Sequence, residues 1–127
     1  MIPRLRRLER VRARQLDHAR ADHVRATVAC ERAEDDRRAA IAGFDAQVGK
    51  PLAVTDLEDA YARIDQCGAQ VVRAQAVQER TRVRTAAAGN AWNRADQALA
   101  HARAERMAKR LREEQREHDE LSARRSK

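Results

Sequence analysis

The chain has 127 residues, of which 43% are apolar, 2% aromatic and 37% charged. So few aromatic side chains exclude a thick globular core, and with it a compact α/β or all-β domain; the apolar fraction, half of it alanine, fits one extended helical domain. The net charge of +7 and a pI near 10.6 suit nucleic acid, an anionic membrane surface or an acidic protein partner, without choosing among them.

The basic start, MIPRLRRLER, leads into no apolar run long enough for a signal peptide. Nor does any stretch approach the roughly 20 apolar residues of a membrane span, so a cytoplasmic protein without membrane insertion is expected. The spacing predicts a first helix over residues 4–48. Pro3 sits where a first helical turn tolerates it, and no further Pro or Gly occurs until Gly43. Leu5, Leu16, Ala19, His23, Ala26, Cys30, Ala33, Ala40 and Phe44 follow steps of three and four along one face. Arg12 and Arg37 interrupt that line, and Ile41 and Val48 flank its end. Alanine on a seam lets two helices approach closely, because no long side chain holds the backbones apart.

Residues 49–55 read as a turn, with Gly49 suited to a helix C-terminus and Pro51 preventing continuation. Thr55 is the expected N-cap of the next helix, with Glu58 completing a capping box. From there Leu57, Ile64, Val71, Gln78, Thr85, Trp92 and Leu99 recur every seven residues. Ala60, Cys67, Ala74, Thr81, Ala88, Ala95 and Ala102 follow three residues after each. Such a repeat, large residues at one seam position and small ones at the other, calls for a second helix wound along it. Gly68 and Gly89 each cost about 1 kcal/mol relative to Ala inside a helix. They leave open one helix over 56–124 or a short helix near 56–67 before a long one. After Ala102 the register slips to Met107, Leu111, His118 and Leu121, which changes local supercoiling without ending the helix. Residues 122–127 are expected to fray.

The fold expected is therefore all-α, a single coiled-coil domain over 1–127 built as a long antiparallel two-helix hairpin, with or without a short extra helix after the turn. The first helix would be roughly 68 Å long at about 1.5 Å per residue. The longer second helix must overhang, bend or pack on something else. Polar seam residues (Arg12, His23, Arg37, Gln78) fix the pairing at a cost in stability. Marginal stability alone and a gain on binding a partner are expected.

No catalytic constellation is present: no glycine-rich phosphate loop, no nucleophile elbow, and no metal spacing of His or Cys. No cofactor and no small-molecule substrate are expected. Cys30 and Cys67, 37 positions apart, match no zinc spacing and read as two small seam residues rather than a redox pair. A straight fold-back would bring them near one another. Trp92 reads as core packing or as a partner anchor, since large aromatics dominate binding hot spots.

Charge is uneven along the chain. Arg4, Arg6, Arg7, Arg10, Arg12 and Arg14 face only Glu9, and basic residues prevail again from Arg73 to Arg112. The region of the turn is acidic, with Asp45, Asp56, Glu58, Asp59 and Asp65. Local pairs such as Glu105–Lys109 and Glu120–Arg124 would make this an ordinary solvated surface. Alternatively, a basic base where the termini meet docks on an acidic partner in a salt-sensitive encounter. The candidate partner-binding residues are Arg4, Arg6, Arg7, Arg10, Arg14, Trp92, Arg103, Arg106, Lys109 and Arg110. Nucleic acid fits less well, because acids alternate with the bases and stacking aromatics are lacking.

The chain resembles the FliJ/YscO family, the small stalk proteins of flagellar and type III secretion export. The likeness rests on size, the long Arg- and Ala-rich first helix and the Gly/Pro break. It also rests on AWNRADQALAHAR (91–103) with its Trp, and on the Glu-rich EEQREHDELSARR (113–125) with Asp119 and Glu120. The resemblance implies an antiparallel coiled coil that inserts into a hexameric secretion ATPase and links it to an export-gate protein. It also implies, for some members, the handling of secretion chaperones. Two other readings compete: a basic coiled coil binding nucleic acid or the ribosome, and a generic dimerising scaffold.

Overall fold

A computed structural model describes residues 1–126. It contains two helices, α1 (Ile2–Gln47) and α2 (Val54–Arg125), of 46 and 72 residues, and the fold is an all-α two-helix hairpin. The chain divides into two compact units, both drawing on both helices. One holds Met1–Leu16 with Ala88–Lys127 and the other holds Asp17–Ala87; they are called the terminal unit and the turn unit below.

α1 starts because Met1 lends its carbonyl to Leu5 N, 3.1 Å away, while Pro3 occupies the first turn, where its missing N–H is not needed. The long run of Arg, Ala and Glu that follows has high helix propensity. The helix ends at Gln47, two residues before Gly49, whose φ of +89° lies in the left-handed region. Val48 N donates to Asp45 O and Lys50 N to Gln47 O, both at 3.2 Å, closing the last turn. α2 begins one residue before the expected cap. The carbonyl of Ala53 accepts from Asp56 N at 3.0 Å and from Leu57 N at 3.2 Å. Thr55 therefore lies inside the first turn rather than capping it, and Asp56 places a negative charge at the positive end of the helix dipole.

α2 then runs unbroken to Arg125, so the short extra helix is not formed and neither Gly68 nor Gly89 interrupts it. A glycine's propensity cost of about 1 kcal/mol is too small to break a helix held on both sides by seam contacts. Residues 122–125, expected to fray, are helical, and Ser126 N donates to Ser122 O at 3.2 Å. The expected fraying of Lys127 lies outside the described residues.

The heptad reading of α2 holds throughout: none of the fourteen seam residues from Leu57 to Ala102 is exposed. On α1, none of Leu5, Leu16, Ala19, His23, Ala26, Cys30, Ala33, Ala40 and Phe44 is exposed either. Arg12 is half-buried, but Arg37, Ile41 and Val48 point to solvent.

In the turn unit the best-buried residues are small or medium in size: Ala19, Ala26, Cys30, Val71 and Thr81. Close approach lets polar groups bridge the helices. Thr85 shares its hydroxyl hydrogen between Thr81 O at 2.8 Å and Ala19 O of α1 at 3.1 Å. Thr81 Oγ1 donates its hydrogen to Gln78 O at 2.8 Å, so His23, whose Nδ1 stands 3.0 Å from Thr81 Oγ1, is the donor in their contact. Gln78 Nε2 reaches Thr27 Oγ1 at 3.4 Å. Near the turn, Phe44 and Tyr61 pack with ring centroids 5.1 Å apart. With Thr27 opposite Gln78 and Phe44 opposite Tyr61, Cys30 faces the neighbourhood of Gln75. It lies about 12 Å along the axis from Cys67 at about 1.5 Å per residue. The two cysteines are free and are not neighbours. Cys30 is buried with its Sγ 3.7 Å from Glu34 Oε1; burial first, then the charge and hydrogen bond of Glu34, push its thiol pKa up.

In the terminal unit, Leu16, Ala95, Leu99 and Ala102 form the buried seam. Past Ala102 every described residue is exposed. The apolar line Met107, Leu111, Leu121 continues along α2 with each side chain more than half exposed; Met107 borders a groove with Ile2 of α1, and His118 is not on a seam. The reason is length: α1 begins at Ile2, and its first residues reach α2 only as far as Lys109 and Arg110.

Candidate functional site: the basic terminal unit

All ten candidate partner-binding residues fall in the terminal unit. That unit carries sixteen Lys and Arg against eight Asp and Glu, whereas the turn unit carries eleven against twelve. The whole positive excess of the chain therefore belongs to the terminal unit.

The helices bring part of the predicted set together. Arg6, Arg103, Arg106 and Arg110 line an open groove of about 370 Å³ whose floor is Ile2 and Met107. Arg106 and Lys109 also line a second groove, of about 360 Å³, with Met1, Ile2, Pro3, Ala102 and Glu105. Arg4, Arg7, Arg10 and Arg14 are exposed on α1 but line neither groove. Trp92 is half-buried, and its indole Nε1 donates to Glu9 Oε1 at 3.0 Å.

That contact occupies the one acid among the first sixteen residues. Among the described residues, no Arg or Lys of the terminal unit lies within 4.0 Å of a carboxylate. The expected pairs Glu105–Lys109 and Glu120–Arg124 are not made; Glu105 is taken by His101 Nε2 at 3.0 Å. Arg12 is bonded to a neutral acceptor, Gln15 Oε1, at 3.0 Å. The turn unit contrasts with this. There Arg25 pairs with Asp22, Arg38 with Glu34 and Asp35, and Arg82 with Glu79, each within one helical turn, and Arg84 reaches Asp22 from the other helix.

Sequence reasoning missed two members of this site. Ile2 supplies the floor of both grooves, and Glu9 is tied to Trp92 across 83 positions. The isolation of Glu9 among arginines was a visible signal; its partner was not, because a heptad fixes which face a residue occupies and not what it meets. Among the described residues no three or more His, Cys, Asp or Glu group as a metal site, and no helix is long and apolar enough to cross a membrane. The arrangement can bind an anionic surface through several guanidinium groups around a small apolar floor. Comparison with known protein families, curated proteins and solved structures finds no match to the chain.

Proposed function

We propose that the chain is a non-enzymatic stalk and scaffold component of a bacterial type III or flagellar secretion apparatus. In this reading the terminal unit docks on an acidic surface of a hexameric export ATPase. The chain then links the ATPase to an export-gate protein, peripheral to the inner membrane and on its cytoplasmic side. Handling of secretion chaperones belongs to the same reading. One observation carries the docking step: the positive excess is confined to the terminal unit, and among the described residues its arginines have no carboxylate partners. Desolvating charges that are already paired gains little, whereas free guanidinium groups are available to a partner's carboxylates. The identity of that partner comes from the resemblance of residues 91–103 and 113–125 to the stalk family.

Co-purification of the tagged chain from its own cell tests the reading. Recovery of a hexameric ATPase is expected, together with stimulation of its turnover. Replacing Arg6, Arg103, Arg106 and Arg110 by Glu is expected to abolish stimulation with helicity unchanged in circular dichroism. Unchanged stimulation would refute the docking assignment. Micromolar binding to duplex DNA or RNA with a steep salt slope would move the same surface to a nucleic-acid reading.

A further inference from the structure

We propose that the terminal unit is also a self-association surface. Two copies of the chain pair antiparallel about a two-fold axis near Arg112 and Glu113. Each lays its acidic residues 113–120 along the basic groove of the other. The inference does not depend on the ATPase reading, since it uses only the chain itself.

Three observations converge on this occupant. First, charge changes sign abruptly along the free end of α2. Residues 103–112 hold five Arg or Lys and one acid, whereas residues 113–120 hold five acids and one Arg. The helix offers short-range pairs across that junction, Lys109 with Glu113 and Arg110 with Glu114, yet among the described residues none is made. Both blocks remain unneutralised.

Second, the apolar line of the seam continues past the end of α1. Met107, Leu111 and Leu121 are 53%, 57% and 54% exposed. Met107 also floors the groove formed with Ile2, Arg6, Arg103, Arg106 and Arg110. An incoming helix whose carboxylates lead up to a leucine fits that groove, and residues 113–121 of a second copy have that pattern, five acids followed by Leu121.

Third, symmetry selects the register. Pairing the free ends in parallel, or antiparallel about their own middle, sets acids 113–120 against the same acids. Offsetting the pair so that residue 119 of one chain lies near residue 106 of the other sets acid against base. A two-fold axis makes the second contact by the same motion, as an isologous interface requires. Leu121 then arrives beside Ala104 and Met107 of the other copy. The association covers Arg103, Arg106, Lys109 and Arg110, so it and any docking through those residues exclude one another.

Sedimentation of the full chain tests the proposal. Dimers are expected by roughly 100 μM at low salt, a range ordinary for a small charged interface. At least tenfold weakening is expected on raising salt to about 0.5 M, where screening is complete within a few ångströms. Replacing Glu113, Glu114, Glu117 and Glu120 by Lys gives one variant; replacing Arg103, Arg106, Lys109 and Arg110 by Glu gives another. Each is expected to be monomeric alone, and an equimolar mixture is expected to restore a dimer containing one of each. A wild-type chain that stays monomeric at low salt overturns the proposal. So do dimers that survive either reversal, or variants that do not recombine. None of these outcomes bears on whether an ATPase co-purifies.

Discussion

Replacing Gly68 and Gly49 by alanine applies the same chemical change to two backbones of opposite character. Gly68 lies within α2, and a Cβ built there meets nothing within 4 Å. The substitution removes backbone freedom from the unfolded chain and improves helix propensity, which together stabilise by about 1 kcal/mol. Gly89 is a second such site. Its added methyl would stand 3.8 Å from Leu16 Cδ1, an ordinary contact on the seam. The two sites are 21 positions apart on one helix, so their effects should add, to about 2 kcal/mol. For a chain of this length, about 4 °C per kcal/mol gives a rise in Tm near 8 °C for the double variant. At Gly49 the φ of +89° brings a Cβ into collision with its own backbone. Gly49→Ala should therefore lower stability by roughly 1–2 kcal/mol. Thermal unfolding followed by circular dichroism at 222 nm reads all three. If Gly68→Ala and Gly89→Ala lower Tm, or Gly49→Ala raises it, then α2 does not run continuously through those glycines or the turn does not use a left-handed residue.

Three further outcomes follow from the seams and the ion pairs. Leu99→Ala removes one of the few large buried side chains of the terminal unit and should cost about 2–3 kcal/mol in chemical denaturation; a loss under about 0.5 kcal/mol would mean that Leu99 is not packed. Glu9→Ala deprives the Trp92 indole of its acceptor, and should lower stability by about 1 kcal/mol while changing Trp92 emission; unchanged emission would place the indole elsewhere. The Arg82 hydrogen bond, foremost, and its charge hold the Glu79 carboxyl below its ordinary 4.5. The stability this pair supplies is thus present above that ordinary value and lost as pH falls through the lower folded value. Arg82→Gln should flatten that part of the acid-side decline, and an identical pH profile would show the pair to be inert.

The helices and their seams were legible in the sequence because burial on a long helix leaves a periodic trace. Leu57 to Ala102 keep a seven-residue step through two glycines and three polar residues, and every member is shielded. The choice between one helix and two was not legible, since it turns on about 1 kcal/mol at Gly68 against packing that periodicity cannot weigh. Register was also hidden. Trp92 with Glu9, Thr85 with Ala19 and Phe44 with Tyr61 are contacts between positions that the period leaves free to slide by a heptad. The basic end of the chain was legible as composition. That, among the described residues, its arginines have no carboxylate partners was not, because Glu105 turns back to His101 instead of forward to Lys109.

The hydroxyl and imidazole contacts of the turn unit act as a detent between two otherwise smooth surfaces. The alanine line of α1 (Ala19, Ala26, Ala33, Ala40) offers little resistance to axial slip, since each step of seven along it exchanges one methyl for another. Displacing α2 by seven residues toward either end would set Thr81 against Leu16 or Cys30 instead of His23, and Gln78 against Arg20 or Glu34 instead of Thr27. Several polar groups would lose their partners at once, each at a cost of about 1–3 kcal/mol where water cannot reach it. A longitudinal force on one helix of that unit is thereby passed to the other as shear, and the stagger of the pair survives it.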